Sequence, residues 1–177
     1  LDDGKTNVLN VIRGQLAIAH PVTPTLQSLA RLPVRNYWTT NYDELIERAL
    51  EEAGRPIDVR ASEQSLTLRP RPGAAQIFKM HGTISDASNI VIATDDYELF
   101  RRNRASYLPL LQGQLTTSTF LFVGMSLTDP NVRHVLSLIR ERFPDQPPQH
   151  FAIVRPPQRA DYSSQEVYEA RAREHGY

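Results

Sequence analysis

Apolar residues recur along this chain at two spacings, and the alternation between them predicts helices and strands in turn. Val8, Leu9, Val11, Ile12, Leu16 and Ile18 follow a helical spacing over residues 5–19, which His20-Pro21 breaks. Thr23 or Thr25 is placed to cap a short helix through Leu26, Leu29 and Leu32 that ends near Pro33. Residues 34–40 are rich in β-branched and aromatic side chains and predict a strand. Asp43 then opens a helix to 53, with Leu45, Ile46, Ala49, Leu50 and Ala53 on one face, Gly54 as its stop and Pro56 beyond. A short strand is expected at 57–59 and a strand at 77–80, separated by a polar, Pro-rich loop over 61–75 that is long enough to lie over a site. Thr94-Asp-Asp-Tyr reads as a capped helix start reaching about Arg104, and Leu108, Leu111 and Leu115 mark a helix over 107–115. Residues 119–123 are almost wholly apolar, which predicts a central strand buried on both faces. A helix over 131–143 and a strand at 151–154 follow, then a charged helix over 163–174. Strands alternating with helices make an α/β domain on a mostly parallel sheet, over residues 1–155, with 156–177 as a helical extension or linker.

Composition narrows the function classes. With 177 residues, 40% hydrophobic, the chain has enough apolar material for one substantial core. Twenty basic side chains balance twenty acidic ones, so no overall field draws the chain to nucleic acid or to an anionic membrane, and no direct nucleic-acid binding is expected. No apolar run approaches the roughly 18 residues of a membrane span, and the start resembles no signal peptide. The absence of cysteine removes disulfides, thiolate nucleophiles and thiolate zinc sites, and fits a cytoplasmic protein. The five histidines show no close metal-ligand spacing, so no metal site is expected.

Three predicted strand ends carry polar residues that an apolar sheet does not need: Thr40, Asn41 and Asp43; His81 and Gly82; Gly124, Ser126 and Asp129. Each has an ordinary explanation taken singly, as a helix cap, a hydrogen-bonded strand-end histidine or a tight turn. Their recurrence at the carboxyl ends of strands, where open α/β sheets bind ligands, is the informative feature.

Thr39-Thr-Asn-Tyr-Asp, Leu45, Ala53-Gly54, Lys79-Met-His-Gly and Phe122-Val-Gly-Met-Ser-Leu resemble, in order and spacing, the nicotinamide adenine dinucleotide (NAD) pocket of the sirtuins. The resemblance covers about residues 33–154. It extends to Thr94-Asp-Asp-Tyr and Ser126-Leu-Thr-Asp-Pro-Asn, which are similar to the bacterial sirtuin-like domains of antiphage defence proteins. It implies a Rossmann-like, doubly wound parallel sheet and hydrolysis of NAD, as substrate, at the nicotinamide–ribose bond. It further implies that Asn41 positions the water or acyl oxygen near the anomeric carbon, and that His81 bonds a ribose hydroxyl and acts as general base. Thr40 and Asp43 would line the nicotinamide end, while Gly124, Ser126 and Asp129 would face the ribose and phosphates, with Asn131 a further candidate. A homo-oligomer is implied, with a sensor domain or phage-derived activator as partner.

Three departures refine this. The protein-deacylating sirtuins carry a four-cysteine zinc module that this cysteine-free chain cannot form, and Thr40 stands where they usually have Gln. Both shift the expectation from peptide deacylation toward hydrolysis of NAD itself, with deacylation or ADP-ribosyl transfer as the second enzyme reading. No Gly-x-Gly pattern occurs anywhere, so the first strand and its Gly-rich phosphate loop are expected to lie upstream of Leu1. A further alternative, from another class, is a catalytically silent module that senses NAD or an ADP-ribose derivative.

Overall fold

The computed structural model describes residues 7, 8, 10–12, 14, 20–86, 89–125, 129–153 and 166. The expected helix over 163–174 lies outside them but for Glu166, which is helical, as are the described residues between 7 and 14. The chain forms two compact units, residues 1–109 and 110–177.

In the first unit, helix α1 (Pro24–Ala30) begins at Thr23, whose hydroxyl accepts the Leu26 N–H, with proline in the first turn where a missing N–H costs nothing. Strand β1 (Asn36–Thr39) leads to α2 (Leu45–Glu52), then β2 (Ile57–Arg60), a one-turn helix α3 (Glu63–Leu66), and β3 (Ala75–Lys79). The sheet runs β1-β3-β2 with every pairing parallel. Register sets its two faces. Tyr37 lies opposite Ile77, and this face meets α1 and α2 through Val22, Ala30, Ala49, Leu50 and Ala75. Leu50 and Ile77 are wholly buried, each worth roughly 1.5–3 kcal/mol against exposure. Trp38 lies opposite Phe78 on the other face, their rings stacked at 4.5 Å, with Tyr107 edge-on to Trp38 at 6.4 Å. Both faces are therefore covered, as a parallel sheet requires.

The loop expected over 61–75 includes α3, closed by reciprocal bonds between Ser62 and Ser65. Its shape depends on Arg60, which is 3% exposed, pairs with Asp58 at 2.5 Å and donates to the Ser65, Leu68 and Arg69 carbonyls. The helix expected to run from Thr94 to Arg104 is instead two short ones, α4 (Thr94–Glu98) and α5 (Phe100–Asn103), separated by Leu99. Asp96 explains the start of the first: its carboxylate accepts the Ile92 and Ala93 N–H groups at 2.9 Å each.

Helix α6 (Tyr107–Thr117) leads into the second unit, where β4 (Leu121–Val123) pairs in parallel with β5 (Phe151–Ile153) and α7 (Pro130–Arg142) lies between them in sequence. Val132, Val135 and Ile139 form the buried stripe of α7. The expected burial of residues 119–123 on both faces is not found: Leu121 is 46% exposed, and Phe151 and Ile153 beside it are more so. Among the described residues β4 has a strand partner on one side only, and a two-stranded sheet is too narrow to carry helix layers over both faces.

Candidate active site

The carboxyl ends of β1 and β3 are neighbours because the strands pair in parallel with Thr39 opposite Lys79. Beyond the last pair, the two connecting turns are stitched together. The Met80 N–H donates to the Thr39 carbonyl at 3.0 Å, the Ile84 N–H donates to the Tyr42 carbonyl at 3.0 Å, and the Lys79 ammonium donates to the Asp43 carbonyl. The structure thus brings Thr40, Asn41 and Asp43 to the same sheet edge as His81 and Gly82.

Each side chain there has a local reason for its placement. Asn41 is exposed, and its N–H donates to the Thr39 hydroxyl at 3.0 Å, which turns the chain sharply out of β1. Thr40 is half-buried. The Asp43 carboxylate accepts the Leu45 N–H at 3.0 Å, holding the first turn of α2. Tyr42 donates its hydroxyl to the Val91 carbonyl at 2.6 Å, and Val91 in turn donates its N–H to the His81 carbonyl at 2.9 Å. His81 is only 3% exposed, with the rings of Tyr97 and Phe100 edge-on at 5.3 and 6.1 Å. Helices α4 and α5 therefore form a wall around its imidazole. Gly82 follows with φ +85°, and a Cβ there would come within 2.5 Å of the Asn89 carbonyl oxygen, so glycine is required for both conformation and space.

Two buried cations hold this edge from behind. Lys79 is fully buried on β3 and pairs at 2.7 Å with Glu47 of α2, besides its bond to the Asp43 carbonyl. The other Glu47 oxygen has no partner among the described residues. Arg104 is 4% exposed, donates to the Ala61 carbonyl at 2.6 Å and to the Asn89 carbonyl, and lies over the Tyr107 ring. Burial pushes the Tyr107 phenol up to about 12 against the lowering effect of Arg104, and the phenol donates to the Arg60 carbonyl at 2.9 Å.

Sequence reasoning passed over Glu47, Lys79, Tyr97 and Arg104. Lys79 had a signal: by period-2 alternation it shares a face with Ile77, where an unpaired ammonium would be untenable. Glu47 is one turn from Leu50 on the buried side of α2 and is its counterpart. The burial of Arg104 carried no signal, since it stands in a basic run with Arg101 and Arg102, which are exposed.

In the second unit, Gly124 follows β4 with φ +63° and open space where a Cβ would stand, so its backbone conformation is what favours glycine. The Asp129 carboxylate accepts the Asn131 and Val132 N–H groups at 3.0 Å each and caps α7, a role its sequence position already allowed. Asn131 is buried in the first turn of α7, while Ser126 lies outside the described residues.

A family model described as SIR2-like domain matches residues 35–176. The chain is similar to proteins named NAD(+) hydrolase ThsA: 37% identical over 165 residues in Acinetobacter baumannii, covering 93% of this chain and 34% of that protein, and 41% over 128 residues in Enterococcus faecium, covering 72% and 27%. Defense-associated sirtuin 2 of Bacillus subtilis is 24% identical over 134 residues, covering 74% of this chain and 13% of that protein. The chain thus spans about a third of the length of curated relatives it matches. A parallel sheet covered on both faces, two polar turns joined at its carboxyl edge and a family match over most of the length agree: this chain belongs to the SIR2-like domain family.

Proposed function

We propose that this chain is the NAD-cleaving part of a bacterial antiphage defence protein, releasing nicotinamide and ADP-ribose without a peptide acceptor. The observation that carries the proposal is the joining of the Asn41 turn to the His81 strand end, in a chain whose relatives are named NAD(+) hydrolases. Heterolysis of the nicotinamide–ribose bond releases neutral nicotinamide and leaves an oxocarbenium ion at the anomeric carbon. Water adds its oxygen to that carbon and loses a proton. Such a reaction needs a placed water and polar groups aimed at growing charge, and it needs no strong acid for the leaving group. In this reading the exposed Asn41 amide orients the water, and His81 accepts a hydrogen bond from a ribose hydroxyl and takes up the proton. Asp43 and Thr40 receive the nicotinamide end, while Gly124, Ser126 and Asp129 serve the ribose and phosphates. The active form is a cytoplasmic homo-oligomer, switched on through a sensor domain or a phage-derived activator.

The near-complete burial of His81 favours one second reading, a catalytically silent module that binds NAD or an ADP-ribose derivative. One assay separates them. The full-length protein is expected to release nicotinamide from NAD with no added peptide, and Asn41→Ala or His81→Ala to lower the rate by ~10²–10³. Because both serve one bond-breaking step, the double variant is expected to be scarcely worse than the poorer single one. Tight NAD binding without release supports the sensor, release only with an acylated peptide supports a deacylase, and full activity in His81→Ala overturns the site.

A further inference from the structure

At the opposite, amino-terminal edge of the same three-stranded sheet lies a cavity of about 540 Å³ that the proposed chemistry does not use. Asn36 and Gln76, paired across β1 and β3, stand at its sheet side. Four arginines line it, Arg31, Arg35, Arg55 and Arg71, and among the described residues no acidic one does. The volume is that of a pocket for a nucleotide-sized molecule.

The four cations are held differently. Arg55 is half-buried and fixed: its guanidinium donates to the Ala30, Leu32 and Val34 carbonyls and to the Tyr37 hydroxyl. Those acceptors are neutral, so they hold the guanidinium in place and leave its charge uncompensated. Arg31, Arg35 and Arg71 are exposed and make no ion pair among the described residues. The carboxylate of Asp58, which accepts the Arg71 N–H, is already committed to Arg60 at 2.5 Å. Pro33, Pro70 and Pro72 lie along the same cavity and restrict the backbone that carries the arginines. Planar guanidiniums match the geometry of phosphate oxygens and bind them in pairs. Among the described residues no aromatic one lines the cavity, so these residues offer a base no stacking partner and recognition falls on the charged group.

We infer that the Arg31–Arg35–Arg55–Arg71 cavity is an anion site that binds a compact polyphosphate group, at the sheet edge remote from Asn41 and His81. A concavity of this size favours a small polyanion over an acidic protein segment, which would need an extended surface.

Inorganic tripolyphosphate is the probe, titrated into the full-length protein by calorimetry at low and at moderate salt. Saturable binding that weakens with salt is expected. The triple variant Arg31→Gln, Arg35→Gln, Arg71→Gln removes only exposed side chains and leaves the Arg55 clasp intact. It is expected to weaken binding about tenfold, while the corresponding triple Lys variant recovers part of the loss. Asn41→Ala and His81→Ala are expected to bind tripolyphosphate as tightly as the wild type, whatever becomes of nicotinamide release, so the two readings fail separately. Unchanged affinity in the Gln variant overturns the inference, as does binding lost in the Asn41 or His81 variants. Binding of poly-glutamate but not of tripolyphosphate also overturns it, in favour of an acidic protein partner.

Discussion

At the scale of single residues, this fold relies on a few buried polar groups whose partners come from distant parts of the sequence. Lys79 and Glu47 are the clearest pair, because an ammonium with no exposure and a carboxylate with one oxygen unpartnered among the described residues leave little slack. Removing one partner strands the other charge. Lys79→Met is expected to destabilise the protein by about 3–5 kcal/mol, whereas Lys79→Met with Glu47→Leu recovers most of that loss, read from urea midpoints. A double variant no more stable than the single one would mean that the Lys79 bond to the Asp43 carbonyl carries the effect. Tyr107 gives a pH signature. Its folded phenol titrates near 12 against an ordinary 10, so the folded state holds the proton more tightly. The stabilisation is complete below pH 10 and is lost as pH rises from 10 to 12, a difference of up to about 2–3 kcal/mol. Other groups titrate there too, so the informative measurement is the difference from Tyr107→Phe, which should lose less stability across that window.

At the scale of elements, Asp129 shows how capping and ligand binding can be told apart. Asp129→Ala removes two N-terminal bonds of α7 and should cost about 0.5–2 kcal/mol, while Asp129→Ser keeps a capping oxygen and should restore most of it. Nicotinamide release that falls in the Ser variant at restored stability would give Asp129 a role in the site beyond the cap. The elements were legible in the sequence where one local rule governed them. Of the two threonines placed to cap α1, Thr23 does so, and the amphipathic spacing of Leu45, Ile46, Ala49 and Leu50 marked α2. Rules that depend on distant partners were not legible. Residues 119–123 read as a doubly buried strand because apolar composition reports what a segment can bury, not how wide its sheet is. The single helix expected from Thr94 to Arg104 divides at Leu99, and Phe100 of its second half lies against the His81 ring, a contact that spacing alone could not disclose. The site was legible to the same extent. The positions of Asn41 and His81 at strand ends followed from local pattern, whereas the wall of Tyr97 and Phe100 and the Lys79–Glu47 support did not.

At the scale of the whole molecule, the absence of cysteine separates two chemistries that share their first bond cleavage. Deacylation needs a cleft that presents an acylated lysine to the anomeric carbon, and in the protein-deacylating sirtuins a four-cysteine zinc module helps form it. This chain has no thiolate to supply. Its histidines at 20, 81, 134, 150 and 175 are scattered, and among the described residues no three His, Asp or Glu side chains gather where they could hold a metal. A structural zinc needs four such ligands at about 2.0–2.3 Å. The purified protein is therefore expected to contain less than stoichiometric zinc in this region, and a chelator to leave both its melting temperature and its nicotinamide release unchanged. Elemental analysis of this segment giving one zinc per chain would overturn that expectation and restore the peptide acceptor. In the function proposed above water is the acceptor, so nicotinamide release should be independent of any acylated peptide added.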